Sequence, residues 1–252
     1  MKQFKFLLVL VVTLILTSCN FTENLDVKDD GTGTFALEID GSGLMAMAGD
    51  KLTESLSQKN DAKVIDSVFS FKEIFEAKKD SISKLSTEQQ AALKKMENFM
   101  MHIKMNAEKQ QFLFSMDTPF KNVADLQNMM DGFKTLKDLK GKSDSEGTSN
   151  PLENSMDNNA KIDFAYTGKT FSRKAIIDKE ALAKIKNDSL GMTKMIFASS
   201  KYTLKYHFPK AVKTVSNPDA LFSADRKTVT VEYPFIDYME HPEKLNLNVV
   251  FE

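Results

Sequence analysis

The feature that most constrains this chain lies in its first nineteen residues. Met1-Lys2-Gln3-Phe4-Lys5 is a basic start, Phe6 to Leu16 is apolar except for Thr13, and Thr17-Ser18-Cys19 closes the segment with small residues. The apolar run has 11 residues, about 16 Å as a helix at ~1.5 Å per residue, whereas a bilayer core of ~30 Å asks for about 20. It is too short to span and has the proportions of an export signal. Cys19 is the single cysteine of the 252 residues, which excludes an internal disulfide framework and any multi-thiolate metal site.

The ending Leu16-Thr17-Ser18-Cys19 resembles the bacterial lipobox, in which Leu and two small residues precede the Cys that becomes lipidated. That resemblance implies diacylglycerol transfer to the Cys19 thiol, cleavage after residue 18 and acylation of the new amino group. Two attached lipids exceed the two-signal threshold for stable anchoring, at about 0.8 kcal/mol per buried CH₂. Loss of residues 1–18 removes Lys2 and Lys5 and no acid, so the formal charge moves from −1 to −3. A mildly acidic body has no electrostatic reason to lie on anionic lipid or to bind nucleic acid. Residues 20–30 are polar and acidic apart from Phe21, Leu25 and Val27, and with Cys19 they read as a tether, residues 19–30. No Asp follows Cys19, so the inner-membrane retention signal of enteric bacteria is missing and the outer membrane of a Gram-negative cell is the expected destination.

The remainder, 31–252, reads as one α+β body: an antiparallel sheet with three or four helices packed on one face. Period-two alternation marks strands over 31–40, 102–106, 111–116, 161–166, 202–209, 227–235 and 245–251, with Phe171 to Ile177 pairing across a turn at Gly168. Val64 to Phe71 suits a strand or a helix start. Helical stripes run from Leu44 to Leu56, through Leu93, Met96 and Met100 after a capping-box pattern in which Ser86 and Thr87 are each followed three residues later by Gln, from Asp117 through Leu136, and after an Asp178 cap with Met192 and Met195 inward. The stretch 141–160 is too polar to bury and reads as a flexible loop.

Signature motifs for catalysis are missing. HExxH, GxSxG, a complete phosphate loop and the dinucleotide fingerprint do not occur, and His102, His207 and His241 stand far apart. Ser81-Ile82-Ser83-Lys84 matches SxxK, a serine one turn from a lysine that could serve as its base, but the SDN and KTG partner elements are lacking. The expectation is therefore a protein that is not an enzyme and needs no cofactor. Methionine is abundant, with Met96, Met100, Met101, Met105, Met116, Met129 and Met130 within 35 residues, alongside 19 Phe and no Trp. Such side chains suit irregular apolar ligands and also suit helix cores.

Residues 202–209, Val212 to Val215, Ser223-Ala224-Asp225-Arg226-Lys227-Thr228-Val229-Thr230 and the opening Gly31 to Gly43 strand resemble the ends of LppM-type bacterial lipoproteins. The chain as a whole, with Lys79-Asp80-Ser81-Ile82-Ser83-Lys84-Leu85, resembles uncharacterised lipoproteins of Bacteroidota. These resemblances imply a lipoprotein ectodomain with a curved sheet and helices, able to hold a lipid. The expected partners are membrane lipid through acylated Cys19 and either a lipid ligand or, as the alternative, an envelope protein docked on a sheet edge or helix face.

Overall fold

The computed structural model describes residues 19–48, 64–128, 160–180, 182–183 and 190–252. The mixed α+β class holds, with the strands divided between two sheets rather than gathered in one. The first sheet contains β1 (Asn20–Val27), β2 (Gly33–Asp40), β3 (Val64–Ser70), β4 (Met100–Asn106), β5 (Gln111–Phe120), β8 (Lys201–His207), β10 (Leu221–Phe222) and β11 (Thr228–Pro234), in the order β10-β11-β8-β1-β2-β5-β4-β3. The second contains β6 (Ala160–Tyr166), β7 (Thr170–Ile177), β9 (Val212–Val215) and β12 (Leu247–Phe251), ordered β6-β7-β12-β9. Neighbours are antiparallel except β1 and β8, which run parallel with Phe21 beside Tyr202 and Leu25 beside Tyr206.

Alternation explains which faces meet. On β1 the inward residues are Phe21, Glu23, Leu25 and Val27; on β8 they are Tyr202, Leu204 and Tyr206; on β11 they are Val229, Val231 and Tyr233, all buried. The outward partners Thr22, Asn24, Lys205, Thr230 and Glu232 are exposed or half-buried. Facing them, the second sheet contributes Phe164, Phe171, Val212, Leu247, Val249 and Phe251 to one continuous core. Each large apolar side chain so enclosed contributes about 1.5–3 kcal/mol relative to exposure.

The small helices are α1 (Ser42–Ala48), α2 (Phe71–Ala77), α3 (Lys79–Ile82), α4 (Thr87–Lys95), α5 (Leu190–Phe197) and α6 (Phe235–Glu240). The capping box at α4 forms in both directions: the Gln89 amide donates to Ser86 Oγ and the Ser86 amide to Gln89 Oε1, each at 3.2 Å. That helix ends at Lys95, so Met96 caps it and Met100 opens β4.

Three expectations fail. Residues 20–27 are no tether but β1, with neighbours on both sides, because Phe21, Leu25 and Val27 complete the core stripe. No helix begins at Asp117: β5 continues to Phe120 with Thr118 and Phe120 turned inward, and a 3₁₀ turn over Val123–Asn128 follows. Phe120 lies across Gly33, where an added Cβ would come within 2.5 Å of the ring and 1.9 Å of the Asp26 carbonyl, so only glycine fits. Met195 is 80% exposed rather than inward. A helical turn does follow Asp178, whose Oδ1 accepts the Glu180 N–H at 3.0 Å. The signal segment 1–18, the second half of the 44–56 stripe, residues 129–136 and all but the last residue of the loop 141–160 lie outside the described residues.

Candidate functional site: the Cys19 end of the sheet

Cys19 is the residue immediately before β1, and its surroundings follow from that position. Its N–H donates to Ser200 Oγ at 3.2 Å, and its carbonyl accepts the Lys201 N–H at 3.3 Å, extending the parallel ladder by one step. The Ser200 carbonyl in turn accepts from the Phe235 N–H at 2.9 Å. Behind this polar rung, Phe21 stacks on Phe235 at 4.0 Å between ring centres and meets Phe197 edge-on at 5.9 Å. α5 and α6 therefore reach this end through Phe197 and Phe235, and α1 reaches it through Leu44. Burial pushes the Cys19 thiol up; a bond from the Leu44 backbone acts the other way, and the Asp40 carboxylate adds to the rise. A buried thiol held protonated is a poor nucleophile.

One step up β1, Glu23 faces Arg173 of β7 across the two sheets. The guanidinium is bidentate, Nε to Oε1 at 3.1 Å and Nη2 to Oε2 at 3.0 Å, while Nη1 donates to the Leu245 carbonyl at 3.2 Å. Tyr202 donates to Oε2 at 2.8 Å and Tyr206 to Oε1. Glu23 is 3% and Arg173 1% exposed. Burial alone would raise the Glu23 carboxyl, yet the Arg173 charge and the hydrogen bonds from Arg173, Tyr206 and Tyr202 hold it below the usual carboxylate range. Both tyrosines are driven well above their ordinary value, by burial first and then by the Glu23 charge. With all three guanidinium nitrogens, both tyrosine hydroxyls and both carboxylate oxygens engaged, the quartet is a structural clamp between the sheets.

Sequence reasoning missed this clamp and Ser200. The available signal was an oppositely charged residue at an inward position of each strand: Glu23 between Phe21 and Leu25, and Arg173 between Phe171 and Ala175.

At the opposite end of β1 an open depression of about 540 Å³ is lined by Asp26, Val27, Lys28, Asp29, Asp30, His207 and Pro209. Asp26, Lys28, Asp29 and Asp30 put charge along half of it, unlike the apolar cavity an amphiphile would occupy. The three histidines stay apart, His207 with Thr228 Oγ1 at 3.0 Å, His102 with Asp66 at 2.6 Å and His241 with Glu243 at 3.4 Å. Among the described residues no cluster of His, Cys, Asp or Glu could hold a metal ion, and no helix is long and apolar enough to cross a membrane. Ser81 and Lys84 sit exposed at α3, with no enclosing wall to desolvate a reaction, so the SxxK pair is withdrawn as a catalytic dyad. Met96, Met105 and Met116 are buried core fillers.

No protein-family model matches the chain, and no curated protein matches it. Among solved structures, it is similar to the folded domain of LppM from Mycobacterium tuberculosis, determined by NMR, with 8% identity, 93% of this chain and 89% of that chain covered, and a TM-score of 0.37. The resemblance to LppM-type proteins is a weak one on these figures.

Proposed function

We propose that the chain is a non-catalytic envelope lipoprotein held to its membrane by acylated Cys19, in the outer membrane of a Gram-negative cell. The observation that carries the reading is the coincidence of two boundaries: the Leu16-Thr17-Ser18-Cys19 ending would be cut before Cys19, and the fold's first strand starts at the next residue. The chemistry at the new amino terminus fits. An acylated nitrogen is still an amide and keeps the single N–H that Ser200 Oγ accepts. A free ammonium in that buried place would give up its water for one hydroxyl, at a cost of several kcal/mol. Cys19 is 2% exposed in the folded body, so on this reading lipid transfer to its sulfur precedes the docking of β1.

Replacement of Cys19 by Ala, followed by membrane fractionation and mass measurement of the amino-terminal peptide, tests this. The parent chain should begin at an acylated Cys19 and sediment with membranes, while the variant should keep residues 1–18. An unmodified Cys19 in the mature parent chain would defeat the reading.

A second reading, binding of an amphiphile, rests on the inner face of β3, β4 and β5. There Ile65, Phe69, Met101, Ile103, Phe112 and Phe114 are half-buried or exposed. Native mass spectrometry of protein purified without detergent should show a bound lipid, displaced by Phe69→Asp. A reproducible protein crosslink to position 69 in its place assigns the surface to docking of an envelope partner.

A further inference from the structure

We infer that the Cys19 end of the sandwich is seated directly on the bilayer at two points, Met195 of α5 and the turn of the β4–β5 hairpin. The inference deepens the lipoprotein reading and rests on it.

The first observation is the missing spacer. Cys19 is clamped on both backbone sides, through its N–H to Ser200 and its carbonyl to Lys201, and the next residue is already in the centre of the sheet. A lipid on this residue has only the side chain and glycerol for reach, so the end of the sheet lies within the headgroup layer. The tether expected over 19–30 would have allowed the body to swing free; β1 removes that freedom.

The second observation is what that end presents. α5 leads through Phe197, packed on Phe21, to Ser200, so the helix is fixed beside the anchor. Met195 lies two residues before Phe197, about 200° around the helix at 100° per residue, which turns it away from the core. It is 80% exposed, unbranched and apolar. On the other side, register aligns Asn20 with Asp40 and Asp40 with Leu113, so Phe112 and Gln111 of β5 continue two residues past the start of β1. The hairpin's turn, 107–110, lies further out still. Ala107 to Gln110 are polar or small, suited to headgroups rather than acyl chains.

Charge does not drive the seating. Lys194 pairs with Glu240 at 2.6 Å and Lys201 with Glu232 at 2.7 Å, and in the turn Lys109 follows Glu108, so the cations at this end are matched by acids. Contact should therefore form on uncharged membranes.

The chain contains no Trp, which makes a single introduced indole an unambiguous reporter. The full chain is expressed with its signal, checked for acylation by mass, and reconstituted into phosphatidylcholine vesicles whose acyl chains are brominated close to the ester. Met195→Trp and Lys109→Trp are each compared with Leu221→Trp. Leu221 is also apolar and 68% exposed, but its partner Thr230 stands beside Lys205, four residues along β8 from the anchored end. All three positions are exposed, so the substitutions leave the core untouched, and far-UV circular dichroism checks the fold. Quenching several-fold stronger at 195 and at 109 than at 221 is the expected result. If the acylated protein shows no excess at either position, or at one alone, the two-point seating is overturned while the lipoprotein reading stands. An unacylated mature chain overturns both.

Discussion

The eight-stranded sheet has two halves that solve the same packing problem differently. Around β1, β8 and β11 the inner face is closed by a second sheet, and the aromatic rings and the Glu23–Arg173 clamp are sealed from water. Around β3, β4 and β5 the inner face carries equally apolar residues in the same rows, Phe69, Met101 and Met116 continuing the row of Leu37 and Glu23. Yet Phe69 stays 38% exposed there, and Val68 on the opposite face 60%. Similar strand patterning thus yields a closed core in one half and, in the other, buried Met105 and Met116 giving way to accessible apolar surface at the β3 edge, and the difference lies in what is laid across it.

If the closed half carries the stability, cutting its clamp should have the largest effect. Arg173→Met leaves a buried carboxylate without its cation and should cost about 3–5 kcal/mol in urea unfolding. The double replacement Glu23→Leu with Arg173→Met should recover much of that loss, since no charge is stranded. The wild-type pair also has an acid signature. Its folded carboxyl pKa lies below the unfolded value, so its contribution is full above about pH 4.3 and declines as pH falls through the folded pKa. In the double variant that acid-dependent part should vanish; an unchanged acid limb would remove Glu23 from the explanation.

Aromatic truncation separates the halves next. Phe21→Ala should cost about 3–5 kcal/mol, because its ring is enclosed by Phe235, Tyr202 and Phe197. Phe69→Ala, in the open half, should cost under about 1 kcal/mol, and equal losses would break the comparison.

Tyr206→Phe comes third, at about 1–3 kcal/mol, since one Glu23 oxygen loses a buried donor. Tyrosine burial predicts an alkaline limb as well: Tyr238 is pushed up to about 12 by burial first and then the Glu23 charge, against about 10 unfolded. Stability should fall as pH rises above about 10, because the unfolded chain releases those protons first. Smallest of all, Val68→Thr should stay within about 0.5 kcal/mol.

What the sequence disclosed follows the same division. Segments with uninterrupted period-two alternation, such as 161–166, 202–209, 227–235 and 245–251, became strands whose apolar rows face the core. β1 escaped because its alternation is interrupted at Glu23, and the cation that makes a carboxylate tolerable there lies 150 residues away. No local pattern carries that information, nor the partition of strands between two sheets. The continuation of β5 through Pro119 escaped for a related reason: a proline that faces outward and pairs with Thr34 looks, in sequence, like a helix start. Of the candidate site, Cys19 was legible from the run before it, whereas Ser200 became part of it only through the parallel pairing of β1 with β8.

That parallel pairing bears on the order in which the protein can be assembled. β1, at residues 20–26, takes one of its two neighbours from residues 201–207 of a 252-residue chain. Loop closure over such a span must precede the reward of the contacts, so the sheet's centre is the last part to be completed. If the chain is exported from its amino end as proposed, this would keep the body unfolded and transportable until four-fifths of it has passed. On the proposed route, completion of the fold would coincide with the end of translocation.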